Sequence, residues 1–289
     1  MGCRDEAKCE EARLLIDIAR KSTCGEEGES NVVFFEGAPL DLDDVNSIEN
    51  FTLMTDRFLR KKTGGLLDVL INNAGIMGSE TLMYNKYTKA EKQLHTNHVA
   101  HYILTAKLLP FLKLAKGRIV NVSSMMGLAP GLYSNTDFNF ENRFHHSIVA
   151  YGAAKRANLL FTHELHVRLY DKYGVSSVAA HPGYSRTSLM TNNWQFAPRY
   201  LRLFVSTNRI LSMSSEEGAK SQIRAALDFE NVQSDDFVGP LFALFGPPVN
   251  IGRTIRNVFN FFWLSGFRDV DSQRLMDFSE YVSGGLKIE

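Results

Sequence analysis

Tyr151 and Lys155 are the two side chains of this sequence best suited to act together in chemistry. The segment Tyr151-Gly-Ala-Ala-Lys155 lies near the start of a predicted helix, and its spacing places both residues on one helix face, about 5–6 Å apart at Cβ. A phenol with a pKa near 10 transfers protons poorly at neutral pH, but a neighbouring ammonium stabilises the phenolate and lowers that pKa. The spacing therefore predicts an acid–base tyrosine tuned by a lysine, although a plain pair on an exposed helix would look the same.

Two further polar residues could support a reaction at a carbonyl group. Ser124 follows the apolar run Arg118–Val122, so its hydroxyl could donate a hydrogen bond to a carbonyl oxygen that gains charge. The pair Ser123-Ser124 fits a simple strand-ending turn equally well. Asn97 lies inside a long predicted helix, where an amide has poor propensity and usually faces solvent. A functional role for Asn97 would require a local kink and a bound water.

The elements that would position these residues alternate between helix and strand. Repeated strand–helix units indicate an α/β fold with a parallel sheet and helices on both faces. Periodicity, capping residues and glycines predict this order: helix 6–21, strand Asn31–Phe35, helix from Asp43-Asp44 to Lys62, strand Leu67–Ile71, helix Thr88–Leu114, strand Arg118–Val122, helix Ile148–Lys172, strand Val175–Ala180, helix Glu216–Asp228 and a last apolar run.

Ligands of parallel sheets bind beyond the carboxyl ends of the strands, so the residues that follow each strand are candidates for binding. Asn and Gly also tolerate left-handed backbone, so the first of these segments fits an ordinary turn as well. The candidate segments are Asn72-Asn73-Ala74-Gly75, Ser123-Ser124, His181-Pro182-Gly183 and Asp41-Leu42.

Composition and charge narrow the class of partner. The 289 residues are 44% apolar and 22% charged, which is typical of a globular chain with a large core. Because 32 Lys and Arg balance 32 Asp and Glu, no net field would attract nucleic acid, and we expect a small-molecule partner. No metal site is predicted, because His163-Glu164-Leu165-His166 lacks the spacing of a zinc helix and His145-His146 has no second ligand cluster nearby.

Cysteine usage and hydropathy favour a cytoplasmic location. Cys3, Cys9 and Cys24 are odd in number and do not make a disulfide framework, which fits a reducing compartment. No secretory signal is visible, and no apolar run reaches the roughly 18 residues of a spanning helix. The apolar segments 189–204 and 258–264 are interpreted as lining of a substrate pocket, and they leave peripheral membrane contact open.

The combination of motifs closely resembles the short-chain dehydrogenase/reductase family. The resemblance rests on Asp41-Leu42, Asn72 to Gly75, Asn97, Ser124, Tyr151-x-x-x-Lys155 and His181-Pro182-Gly183 to Thr187, in this order. The insertion around Asn135–Asn139 and the tail Arg274–Tyr281 are similar to the retinol dehydrogenase-like branch. The resemblance implies a Rossmann-like doubly wound parallel sheet in a single domain, 1–289, with a substrate loop at 184–214 and a helical tail at 250–289.

The resemblance also implies an activity: NADP-dependent interconversion of an alcohol and a carbonyl on an apolar substrate such as a retinoid, steroid, lipid aldehyde or xenobiotic ketone. Tyr151 would be the general acid or base, and Lys155 would lower its pKa and hold the nicotinamide ribose. Ser124 would position the carbonyl, and Asn97 would hold a water linking Lys155 to solvent. A homodimer stays open.

The resemblance assigns the remaining candidates to the cofactor. Arg4 would meet the 2′-phosphate, so NADPH is expected rather than NAD. The adenine side would be contacted by Asp41, Leu42, Asn73, Ala74 and Gly75, and the nicotinamide side by Pro182, Gly183 and Thr187.

One part of the family pattern has no counterpart in this sequence. The match begins at Cys3-Arg4-Asp5, at the end of the family's second strand, so the first strand, the glycine-rich phosphate turn and the first helix are expected to be missing. Gly64-Gly65 and Gly284-Gly285 have neither the spacing nor the setting of that turn. The sequence therefore also allows a non-catalytic fragment or pseudoenzyme that cannot hold cofactor, with an unpaired edge at the strand Leu67–Ile71.

Overall fold

A computed structural model describes residues 39–78, 81–128, 137–184, 213–242, 245–251 and 269–289, and six single positions before residue 15. The chain folds as two compact units, Met1–Gly65 and Leu66–Glu289. The predicted strand Asn31–Phe35 and most of the predicted helix 6–21 lie outside the described residues.

The first unit contains helix α1, Val45–Lys62, which begins and ends as the sequence predicts. The Asp44 carboxylate accepts a hydrogen bond from the Asn46 amide at 2.9 Å, which is the usual way an N-cap satisfies the first free N–H groups. The helix ends before Gly64 and Gly65, whose positive φ angles of 67° and 86° reverse the chain.

The second unit contains one five-stranded sheet in the order β1 to β5. Its strands are β1 Val69–Asn72, β2 Arg118–Val122, β3 Ser176–Ala180, β4 Phe237–Pro240 and β5 Pro248–Asn250. Strands β1 to β4 are parallel, which confirms the predicted Rossmann-like sheet. β5 runs antiparallel to β4, because the short connection between them can join only antiparallel strands. The sequence did not predict this strand.

Helices cover both faces of this sheet, as predicted. On one face Val178 and Ala180 pack with Ala225 and Ala226 of helix α5, Ser215–Leu227. On the other face Ala179 packs with Leu159 of helix α4, Ser147–Tyr173. Successive residues of β3 therefore pack on opposite faces of the sheet, and every residue of this strand is buried.

Strand β1 pairs with β2 alone among the described residues, so its other edge has no described strand beside it. Ile71 on this strand is 44% exposed, whereas every residue of β2 is buried.

The long helix predicted at Thr88–Leu114 is divided in three. It consists of α2, Lys92–Leu94, a π turn, His95–Val99, and α3, Ala100–Ala115. It begins later than predicted because Lys89 has a positive φ of 58° and the Glu91 carboxylate caps the Leu94 amide at 2.8 Å. The last helix is α6, Asp269–Val282. None of the helices in the described part of the chain has the length and hydropathy needed to cross a membrane.

Candidate active site

Ser124 and Tyr151 meet at the carboxyl end of β2. Ser124 stands two residues past the strand, and Tyr151 lies in the first turns of α4. Each is 8% exposed, and their hydroxyl groups are hydrogen bonded. The two residues are far apart in sequence, and the fold brings their hydroxyls to one point that borders solvent.

The Tyr151 phenol holds its proton more tightly than expected from the sequence. Burial raises the pKa of Tyr151 to about 12, and the hydrogen bond from Ser124 lowers it by a smaller amount. The net shift is opposite in direction to the predicted lowering of this pKa, because the loss of solvent around the phenol outweighs the hydrogen bond from Ser124.

The Lys155 ammonium lies on the same side of α4 and is also buried. It is 4% exposed, donates a hydrogen bond to the Val122 carbonyl at 2.9 Å and lies 5.7 Å from the centre of the Tyr151 ring. Burial lowers the pKa of Lys155 to about 8. In the described part of the chain, one of its three N–H donors has an acceptor, so two remain available to a ligand.

The backbone around Lys155 is fixed by the segment after β2. The Ser123 hydroxyl donates to the Lys155 carbonyl at 2.6 Å. Gly127, in a 3-10 turn at Met125–Leu128, packs so closely that a Cβ there would lie 2.8 Å from the carbonyl carbon of Lys155. Any larger residue at position 127 would push α4 away, so glycine is required for this approach.

Asn97 lies in the π turn, which supplies the kink that a functional asparagine would require. Its side-chain oxygen accepts from the Ile76 amide at 2.7 Å, and its nitrogen donates to the Ile76 carbonyl at 2.9 Å. A Cβ on Gly75 would lie 2.8 Å from this oxygen and 3.5 Å from the Lys155 nitrogen. Gly75, Asn97 and Lys155 are therefore immediate neighbours, and a π turn at such a place is common in functional sites.

The candidate cofactor residues fall into three groups. Asn73, Ala74 and Gly75 follow β1, and Pro182 and Gly183 follow β3, so both segments lie at carboxyl ends of strands in the second unit. Thr187 lies outside the described residues. Arg4, Asp41 and Leu42 belong to the first unit, where Asp41 accepts a hydrogen bond from the Asp43 amide at 3.0 Å.

Three residues of the site were missed from the sequence: His98, His101 and Asn158. Asn158 follows Lys155 by one helical turn, and His98 follows Asn97 directly, so spacing alone could have indicated them. Burial lowers the pKa of His98 to about 4 and that of His101 to about 3, so both imidazoles are neutral at pH 7. The described residues contain no group of three His, Cys, Asp or Glu side chains able to hold a metal ion.

Comparison with known proteins identifies the same family as the motifs of the site. The sequence model of one family, short chain dehydrogenase, matches residues 14–197. Human retinol dehydrogenase 14 is 38% identical over 198 residues, which cover 65% of this chain and 54% of that protein. Mouse retinol dehydrogenase 12 is 35% identical over 229 residues, covering 78% of this chain and 64% of that protein. The chain thus spans less than two thirds of the length of these relatives.

Solved structures agree on the fold. A crystal structure of an uncharacterized protein from Mycobacterium paratuberculosis matches the whole chain and 85% of its own, with 29% identity and a TM-score of 0.65. The NADPH-bound carbonyl reductase from chicken fatty liver matches 82% of this chain and 83% of its own, with 24% identity and a TM-score of 0.54. Motifs, fold and family match agree, and the chain belongs to the short-chain dehydrogenase family, in its retinol dehydrogenase-like branch.

Proposed function

We propose that this protein is an NADP-dependent oxidoreductase that interconverts an alcohol and a carbonyl on an apolar substrate. The observation that carries the proposal is the Ser124–Tyr151 hydrogen bond beside the buried ammonium of Lys155. A hydroxyl pair of this kind can bind a carbonyl oxygen at one point and deliver a proton to it. The family relationship supports the reaction class, and the names of the retinol dehydrogenase relatives support an apolar substrate.

The nicotinamide of the cofactor supplies or accepts the hydride when it is bound. Ser124 donates a hydrogen bond that orients the carbonyl oxygen and stabilises the charge that grows on it. Tyr151 gives its proton to that oxygen during reduction and takes it back during oxidation. Lys155 would hold the ribose hydroxyls with the two N–H groups that Val122 leaves available, and its charge would stabilise the phenolate once the proton has left.

The described residues fit the nicotinamide end of such a cofactor. Two N–H donors of Lys155 have no acceptor among the described residues, and its ammonium lies 5.7 Å from the centre of the Tyr151 ring, so Lys155 could hold the ribose hydroxyls. Asn73 and Ala74 are exposed after β1, and Pro182 and Gly183 follow β3, where they would line the adenosine and nicotinamide sides. We assign the 2′-phosphate to Arg4, which is exposed. The 289 residues hold no glycine-rich phosphate turn, and we assign no residue to the pyrophosphate.

The remaining parts of the proposal concern the surroundings of the site. The predicted pocket-lining segments 189–204 and 258–264, and most of the predicted substrate loop 184–214, lie outside the described residues. We propose that the partner is a small molecule rather than nucleic acid. A cytoplasmic location with contact to a membrane surface would suit a substrate of low solubility. A homodimer is compatible with this arrangement.

A second candidate function is that of a non-catalytic member of the family. It is favoured by the absence of a glycine-rich turn from the 289 residues, since backbone N–H groups at a helix N-terminus are what usually hold a pyrophosphate. In that case Tyr151 and Lys155 would be retained without a positioned nicotinamide.

Cofactor binding separates the two candidates. NADPH fluorescence and thermal shift would be measured for the 289-residue chain and for the same chain fused to a strand, glycine-rich turn and helix from a relative. We expect the chain alone to bind NADPH very weakly and the fused chain to bind at micromolar concentration and to reduce apolar aldehydes. Binding without turnover in the fused chain would favour the non-catalytic candidate. Micromolar binding by the 289-residue chain alone would contradict our expectation and require another anchor for the pyrophosphate.

A further inference from the structure

Asn158 connects the π turn to the carbonyl that holds Lys155. It is 1% exposed, and its amide nitrogen donates to the Asn97 carbonyl at 3.0 Å and to the Val122 carbonyl at 3.1 Å. The Val122 carbonyl also accepts the Lys155 ammonium at 2.9 Å. Both amide hydrogens of Asn158 are therefore used, and its side-chain oxygen remains available to accept a hydrogen bond.

The side-chain oxygen of Asn158 faces His98, and the tautomer of His98 follows from this contact. Nδ1 of His98 lies 3.3 Å from the side-chain oxygen of Asn158, which can only accept, so Nδ1 must carry a hydrogen. Since burial lowers the pKa of His98 to about 4, the ring is neutral at pH 7 and Nε2 has no hydrogen. An edge-on contact with Phe161, with ring centres 5.3 Å apart, fixes the plane of the ring.

The chain of contacts ends on the C-terminal helix α6. Nε2 of His98 lies 2.9 Å from the hydroxyl oxygen of Ser279, which is fully buried. The same oxygen lies 2.7 Å from the Leu275 carbonyl, but a hydroxyl has one hydrogen, and a bare Nε2 needs it. Every donor then points the same way: from Ser279 to His98, from His98 to Asn158, and from Asn158 to the carbonyl of Val122.

We propose that Ser279, His98 and Asn158 form a directional hydrogen-bonded relay through which helix α6 fixes the carbonyl that positions Lys155. The three are positioning residues, since they act on Lys155 through the backbone of Val122. The relay itself is a property of the folded chain, and only its meaning for catalysis rests on the proposed function. The relay connects helix α6 to the active site. A change in the packing of α6 would therefore alter the position of the Lys155 ammonium without any direct contact between them.

The relay makes a prediction about the wild-type chain that needs neither cofactor nor substitution. Long-range proton–nitrogen spectra of protein labelled in histidine distinguish the two neutral tautomers and the cation, with His98 assigned through a His98→Gln variant. We expect the Nδ1–H tautomer at pH 7. A neutral Nε2–H ring or a cationic ring would overturn the relay, because Nε2 would then donate a hydrogen to Ser279 instead of accepting one.

Coupling to Lys155 is tested with protein labelled at the lysine ε-carbons, with Lys155 assigned through Lys155→Arg. Ser279→Ala should move the Lys155 signal, and Ser279→Thr, which keeps a hydroxyl, should restore it. The matched control is Ser272→Ala, which removes another buried hydroxyl of α6, bonded to the Glu164 carboxylate of α4 at 2.6 Å, and should leave the signal in place. No movement in Ser279→Ala, or equal movement in both alanine variants, would contradict the coupling. These spectra are read without turnover, so an inactive protein would count against the proposed function and not against the relay.

Discussion

Burial shifts the proton affinities of Tyr151 and Lys155 in opposite directions, and both shifts favour the neutral side chain. The pKa of Tyr151 rises to about 12 and that of Lys155 falls to about 8. A phenol in this state keeps its proton until a carbonyl oxygen beside it becomes basic, which is what a general acid for reduction requires. The Lys155 ammonium would act after that transfer, when it stabilises the Tyr151 phenolate in a site shielded from water.

The shifted pKa of Lys155 makes the stability of the protein depend on pH. The folded chain loses this proton near pH 8, whereas the unfolded chain keeps it to its ordinary pKa of 10.5. Between these values the unfolded state binds more protons, so the free energy of unfolding should rise with pH. We expect Lys155→Met to remove this rise and Lys220→Met, at an exposed lysine of α5, to leave it unchanged. Urea unfolding from pH 7.5 to 10 measures the slope, and an identical slope in Lys155→Met would contradict the buried charge.

Arg4 is expected to decide between the two nicotinamide cofactors. A guanidinium that pairs with the 2′-phosphate contributes a charge-assisted hydrogen bond worth about 1.5–3 kcal/mol, or at least tenfold in affinity. Arg4→Ala in the fused chain should therefore lower kcat/KM for NADPH by about tenfold or more and leave the value for NADH nearly unchanged. Steady-state kinetics with both cofactors measures this. A preference for NADH in the parent chain would refute the assignment.

At the scale of elements, the strand ends were predictable and the π turn was not. Apolar runs followed by Asn, Ser or His located the ends of β1, β2 and β3 within about two residues, because buried parallel strands have a simple composition. Asn97 in the π turn pairs with Ile76, which is distant in sequence. Local periodicity could therefore not predict this turn. The pKa of Tyr151 was misjudged for a similar reason, since burial is a property of the packed site.

Arg118 shows how one strand residue holds a whole helix in place. Its guanidinium is buried and donates to the carbonyls of Ala225, Asp228 and Val232 at and beyond the end of α5, at 3.1, 3.2 and 2.9 Å. It also lies 4.0 Å from the centre of the Phe229 ring. The Asp228 carbonyl also accepts from the Val232 amide at 3.1 Å, whereas the carbonyls of Ala225 and Val232 have no other donor in the described part of the chain.

Replacing Arg118 should therefore cost much more than replacing an exposed cation. Arg118→Leu leaves buried carbonyls without donors, and we expect a loss of about 2–4 kcal/mol in the free energy of unfolding. The control is Lys287→Ala, at an exposed lysine 3.6 Å from Glu280, which should cost less than about 0.5 kcal/mol. Denaturant unfolding compares the two variants. Equal, small losses would show that α5 does not depend on this contact.

At the scale of the whole molecule, the sequence predicted the sheet, its direction and the helices on its two faces. The family pattern also predicted which side chains would meet, and the fold brings Tyr151 to Ser124 and Asn97 to Gly75 and Lys155. It did not predict the antiparallel β5, which has only three residues, or the relay to α6, which depends on contacts between distant segments. The described residues leave one edge of β1 without a strand, and the 289 residues lack the phosphate turn that usually stands beside it.

The central claim is that Tyr151 transfers the proton in a hydride reaction at a carbonyl. The most direct test is the rate of NADPH oxidation with an apolar aldehyde by the chain fused to a glycine-rich segment, compared with its Tyr151→Phe variant. Phe keeps the ring and removes only the hydroxyl, so we predict a fall in kcat of about 10²–10⁴, the usual contribution of a positioned acid–base group. A Tyr151→Phe variant that folds, binds NADPH and turns over at the parent rate would contradict the account.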